Sequence, residues 1–184
     1  MKKYLAIVFI VGMLFSFHNV VAQEENTIRW SAKYRLTWDD FQGKPDVNSS
    51  PAAVTASGID HGFSASLTGN KVEYDSTVQC YFIPSKSWYK KKLADENLLA
   101  HEQLHFDIAE LHARILRKRI VSYKFTPNIK KEMNTLYANV VKQLQEFQAN
   151  YDKATNYSID EHQQKLWQEK VAMLLKKYSD YQLR

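Results

Sequence analysis

The chain has 184 residues, with 25 lysines and arginines against 20 aspartates and glutamates, six histidines and a single cysteine. One cysteine excludes an intrachain disulfide, and the length suits a single hydrophobic core. The formal net charge of +5 is modest. Its basic residues are scattered in short runs, such as Lys90-Lys91-Lys92 and Arg117-Lys118-Arg119, with no nucleic-acid-binding signature, so solvated helix faces account for them and no nucleic-acid partner is expected.

The N-terminus reads Met1-Lys2-Lys3, then runs almost without a polar break from Tyr4 to Phe17 and reaches Val20-Val21-Ala22-Gln23. A basic start, an apolar stretch and small residues before a polar boundary describe a secretory signal peptide, with cleavage expected after Ala22. The alternative is a retained anchor, since Leu5 to Ala22 approaches the ~20 residues that span a bilayer. The polar Glu24-Glu25-Asn26 favours cleavage, and the lack of a cysteine after the apolar run speaks against a lipid anchor. Residues 1–22 are therefore expected to be a signal peptide. Residues 23–184 form one exported domain, periplasmic or secreted, with no integral membrane segment after cleavage.

From Thr27 to about Ile83 the texture is strand-like. Ile28-Arg29-Trp30 and Tyr34-Arg35-Leu36-Thr37-Trp38 precede the turn signals Asp39-Asp40 and Gly43-Lys44-Pro45. Ala53 to Ser57 leads to Gly58, His61 to Leu67 leads to Gly69-Asn70, and Lys71 opens a run through Phe82 to Pro84. Alternation, β-branched and aromatic residues and this punctuation predict an antiparallel sheet of three or four strands. Cys80, inside the apolar Thr77 to Ile83, reads as a small buried hydrophobe.

From Ser85 onward the texture is helical. Asp95 is placed to cap a helix that runs to about Phe125 and is ended by Pro127. A second helix is expected from near Asn128 to Tyr151. A third follows Ser158, whose spacing to Glu161 makes a capping box, and continues to the C-terminus. A sheet followed by helices makes an α+β domain.

The first of these helices carries His101-Glu102-Gln103-Leu104-His105, an H-E-x-x-H pattern. Projected at ~100° per residue, Leu98, Leu104, Ile108, Leu111, Ile115 and Leu116 share one broad face. His101, His105 and His112 fall within it, and Glu102 lies on its flank. Buried imidazoles need partners. A spacing of four lets the ring nitrogens of His101 and His105 converge on one ion, and zinc in hydrolytic sites takes two or three such ligands with a position left open. Glu102, one residue on, is placed to take a proton as a general base. His112 lies two turns beyond His105, about 10 Å along the axis, and is expected to be a packing residue. Asp107 and Glu110 point away from this face and are expected to be surface charges, pairing with Arg114 at helical spacing. Trp30, Trp38 and Trp88 are expected to fill the space between sheet and helices.

Ser87-Trp88, Leu98 to Glu110 and Ala113-Arg114 together resemble a family of bacterial secreted proteins, otherwise uncharacterised, that are predicted to be zinc-dependent proteases. Leu36 to Pro45 and Ala52 to Ile59 resemble its N-terminal motifs, and Tyr151 to Thr155 with Trp167 resemble its C-terminal one. The resemblance covers nearly the whole mature chain. In that family Thr155-Asn156 is followed by a histidine, an obvious third ligand, where this chain has Tyr157. His162 is the first choice to replace it: with Ser158 as cap, Tyr157 and His162 occupy the two positions that touch in a hydrophobic staple. Tyr157, Asp152, Glu161 and His61 are the alternatives.

Together these features lead to an α+β, zincin-like metallohydrolase. It would hold Zn2+ through His101, His105 and His162, with Glu102 as general base, and cleave a peptide or protein substrate held along a strand edge. The alternative is a non-catalytic binding protein of the same fold, with Tyr157 marking a lost site.

Overall fold

The computed structural model describes residues 26–69 and 71–183. The expected signal peptide, residues 1–22, lies outside them. Five strands are followed by three long helices: β1 (Ile28–Arg29), β2 (Ala53–Val54), β3 (Ser57–Thr68), β4 (Lys71–Phe82), β5 (Trp88–Tyr89), α1 (Glu96–Ser122), α2 (Ile129–Ala154) and α3 (Glu161–Lys177). The expected α+β order, a small antiparallel sheet and then three helices, is what the structure shows. Among the described residues no helix is long and apolar enough to cross a membrane.

β3 and β4 form a long hairpin, paired from Ser57↔Phe82 to Thr68↔Lys71. Gly69, in the turn between them, has a φ of +62°, a left-handed value that favours glycine. β1 adds to the far side of β4, giving the order β1-β4-β3, and β2 pairs separately with β5. Only the base of the hairpin is core. Val78, Cys80 and Phe82, at the period of two expected of a half-buried strand, lie against α1 with Ile59, while the distal half of the hairpin is largely exposed. Cys80 is buried as expected.

Tyr34 to Trp38 is not a strand. Residues Trp38–Asp40 form a short 3-10 turn. Asp40 draws the preceding segment onto itself, accepting from the Thr37 amide (2.7 Å), the Thr37 hydroxyl (3.1 Å) and the Tyr34 hydroxyl (2.6 Å). The Leu36 amide donates to Gln103 Oε1 on α1 at 2.8 Å. Donors committed to side chains in this way are lost to a ladder. The segment still buries Leu36 and Phe41.

α1 is the central element. It packs on the base of the hairpin and against α2 and α3, so it is buried on more than one face. For this reason Asp107 and Glu110 are not surface charges as expected. Asp107 accepts from Trp30 Nε1 (2.8 Å), Gln103 Nε2 (2.9 Å) and Arg35 Nη1 (3.0 Å). Glu110 does pair with Arg114 (2.9 Å), but as a buried pair that Arg117 joins at 3.0 Å. Polar groups survive inside the packing because each has its partners. Trp30 and Trp38 are partly buried against the core.

α1 starts where expected, with Asp95 Oδ1 accepting from the Leu98 amide at 2.7 Å. α3 does not. Asn156, Tyr157 and Ser158 run through left-handed φ values of 47°, 55° and 76°, so Ser158 lacks the extended backbone of a cap. The cap is Asp160, whose Oδ1 accepts from the Gln163 amide at 2.9 Å. Asp160→Ala is expected to lower stability by about 1 kcal/mol, and Ser158→Ala by less than about 0.5 kcal/mol. Urea unfolding midpoints compared at equal slope measure both.

Candidate metal centre

His101, Glu102 and His105 lie in the second and third turns of α1, which Asp95 anchors. The spacing of four brings the two rings together edge to face, with centroids 4.9 Å apart and Nε2 atoms 3.2 Å apart. α2 supplies what the pair meets. It continues past Tyr151 to Ala154, and that extra turn carries Asp152 to the pair. Asp152 Oδ1 lies 3.2 Å from His101 Nε2 and 2.9 Å from His105 Nε2.

Tyr151, fully buried, stacks on His101 at 4.5 Å and meets His105 edge-on at 5.2 Å. Burial, and then the charges of Glu102 and Asp152, push its phenol far above the ordinary tyrosine range, so it stays neutral. It is a wall of the site. The outer faces of the histidines meet amides: His101 Nδ1 is 3.1 Å from Gln164 Oε1 on α3, and His105 Nδ1 is 3.2 Å from Gln148 Oε1 on α2.

Charge at the site is strongly coupled. Burial by itself would raise Asp152, but the hydrogen bonds and charges of His101 and His105 outweigh it and hold the carboxyl well below the usual range. Burial likewise opposes charge on His105. The hydrogen bond to Asp152, the charges of Glu102 and Asp152 and the Gln148 contact reverse that, and its pKa is raised. The site is therefore electronegative and favours a cation.

Glu102 is 4 % exposed. No donor among the described residues reaches its carboxylate, while its charge acts on His105 and Tyr151. Among the described residues the one buried side-chain polar atom left without a partner is His61 Nε2, so the Glu102 carboxylate, though the residue is enclosed, keeps contact with solvent at the site. It is more enclosed than its place on the flank of the apolar face suggested, because Thr55 crosses α1 there and donates its hydroxyl to the Glu102 backbone carbonyl at 3.2 Å.

The ligand atoms of His101, His105 and Asp152 all lie within 4.8 Å of one another, and the three residues form a group that could hold a metal ion. Their donors also fit zinc in kind and spacing. A tetrahedral ion with bonds near 2.0–2.1 Å keeps its ligand atoms about 3.3 Å apart, against the observed 2.9 to 3.2 Å. Asp152 keeps 28 % of its side chain exposed, so the group opens to solvent on that side.

His162 is not brought to the pair. With Asp160 as the cap it falls in the first turn of α3 and faces solvent. Tyr157 and Glu161 are also exposed. His61, on β3, stacks between Phe63 and Tyr137, and burial lowers its pKa. His112 contacts the Ile108 carbonyl through Nδ1 at 2.8 Å and packs on Phe147, the packing role expected for it. Asp152, ranked behind His162 on sequence grounds, is the third member of the group. One signal pointed to it. Leu144, Gln148, Tyr151 and Thr155 repeat at helical spacing, and Asp152 continues the Gln148 side of that face by one turn. Gln164 carried no such signal.

Asp152→Ala is expected to weaken zinc binding by more than the ~10–100-fold that follows loss of an outer partner. His162→Ala is expected to leave it within about twofold, as for any exposed substitution. Competition against a fluorescent chelator distinguishes the two ligand sets.

Residues 85–163 match a family described as "Bacterial protein of unknown function (DUF922)". The matched span takes in all of α1 and α2 and therefore all of His101, Glu102, His105 and Asp152. No curated protein matches the chain, and no solved structure does.

Proposed function

We propose that this protein is an exported zinc-dependent peptidase of zincin-like architecture, with His101, His105 and Asp152 as metal ligands and Glu102 as the general base. The observation that carries the reading is the convergence of the three ligand groups beside Glu102, an enclosed residue on the same helix as the two histidines.

Zinc in such a site supplies Lewis acidity, lowering the pKa of a water and polarising a carbonyl. The rest of the chemistry falls to the chain. Glu102, one residue after His101 and three before His105, accepts the proton of the attacking water and delivers it to the leaving amine. The wall made by Tyr151 and the two imidazoles excludes bulk water from the inner side. The exposed side of Asp152 leaves a way in. Thr55, directly after β2, crosses α1 at Glu102, and among the described residues β2 has β5 alone as a ladder neighbour. That strand offers a peptide substrate an edge along which to lie extended.

The basic-apolar-small order of residues 1–22 supports export. A secreted hydrolase also accords with a chain whose one cysteine is buried. The test is cleavage of a denatured protein or peptide library by zinc-loaded protein, abolished by chelator and restored by added zinc. Zinc binding without any such cleavage favours the non-catalytic binding protein instead.

A further inference from the structure

We propose that Gln164 is a positioning residue that dictates which nitrogen of His101 faces the metal, so that docking of α3 completes a centre whose ligands come from α1 and α2. The proposal rests on the metal reading above.

The argument runs through hydrogen-bond capacity. Gln164 Nε2 lies 2.8 Å from the Asn97 backbone carbonyl and 2.6 Å from Asn97 Oδ1. A backbone carbonyl only accepts, so the end of Gln164 that faces Asn97 must be its NH2 group. Asn97 is oriented in the same way, because its Nδ2 donates to the Ser158 carbonyl at 2.6 Å. Its oxygen therefore faces Gln164. Both amides are held by acceptors that cannot change role, and Gln164 is 2 % exposed, so no bulk water offers an alternative.

The oxygen of Gln164 is then the atom 3.1 Å from His101 Nδ1. An amide oxygen only accepts, so this contact requires a proton on Nδ1. A neutral ring with its proton there presents a lone pair at Nε2, toward Asp152 Oδ1 at 3.2 Å and His105 Nε2 at 3.2 Å. A neutral ring with its proton on Nε2 satisfies Asp152 instead and sets the Nδ1 lone pair against the Gln164 oxygen in a buried contact. Neither neutral tautomer satisfies both neighbours. A ring with its proton on Nδ1 and either a metal ion or a second proton at Nε2 does, and Gln164 selects the Nδ1 proton that leaves Nε2 for the metal.

The same chain of bonds links the site to the 156–158 loop. Ser158 takes the Asn97 proton from a left-handed backbone position with φ of 76°. The loop and the start of α3 thus hold the ligand histidine through two amides. His105 repeats the arrangement in simpler form, with Gln148 as its acceptor.

The test compares wild type with Gln164→Met, which removes the acceptor at nearly constant volume. Zinc affinity is read by chelator competition, and the tautomer by nitrogen-15 shifts of labelled histidine in zinc-loaded protein. Wild type is expected to show His101 protonated on Nδ1. Gln164→Met is expected to bind zinc about 10–100-fold more weakly and to lose that signature. Equal affinity and the same Nδ1 signature in wild type and Gln164→Met overturn the proposal while leaving the metal reading intact. Wild type that binds no zinc overturns the metal reading itself, and this proposal with it. If Gln164→Met does not fold, wild type decides: a proton on His101 Nδ1 in zinc-loaded protein supports the role, and a proton on Nε2 rejects it.

Discussion

Purified protein is expected to carry one zinc ion per chain and to lose it entirely when His101 and His105 are both changed to alanine. Both imidazoles lie on α1 and Asp152 lies on α2, so the ion adds a tie between two helices that already meet through packing and a few polar contacts. A ligand that binds the folded chain alone stabilises it by mass action, about 2.7 kcal/mol at a hundredfold excess over its Kd. For a domain of this size that corresponds to a rise of about 5–10 °C in Tm on adding zinc. The double variant should show no such rise. Elemental analysis and calorimetry of both proteins, with and without chelator, make the measurement. Equal zinc content in the two proteins would sink the assignment of the ligands.

Glu102→Gln is expected to keep its zinc and its fold while losing hydrolysis by at least ~10²-fold, the scale of a removed general base. Glutamine matches the shape of the side chain but cannot take a proton from water. Glutamine keeps the packing of this enclosed residue and removes only the charge that acts on His105 and Tyr151, so the fold should hold. A loss of activity then reports chemistry. Cleavage by Glu102→Gln as fast as by wild type means that another group moves the proton. Zinc content that falls together with activity means that Glu102 helps to hold the ion.

Several features were legible because they depend only on neighbours in the chain. Asp95 caps α1 through an amide three residues away, and the four-residue spacing of His101 and His105 brings their rings together on any straight helix. The β3–β4 hairpin follows from alternation closed by a glycine turn. Three expectations failed where the determining partner was distant or the local competition close. The strand at Tyr34 to Trp38 gave way to hydrogen bonds that its amides donate to Asp40 and to Gln103 on α1. Ser158 lost the cap of α3 to Asp160, because the chain first makes three left-handed residues to turn back across α1. Asp107 and Glu110 are buried because α1 is enclosed on faces that periodicity alone assigned to solvent.

By itself the sequence determined the α+β order of elements, the helix that carries the histidine pair and the place of Glu102 beside it, since spacing along one helix sets all of these. Only the tertiary structure decided the third member of the group. His162 and Asp152 are both within reach of the histidines on paper. The choice between them depends on where α2 ends, where α3 begins and how the loop between them is held by Asn97 and Gln164 across more than sixty residues of chain. Contacts of that range are not written in any local pattern, because either partner alone is an ordinary polar residue on a helix.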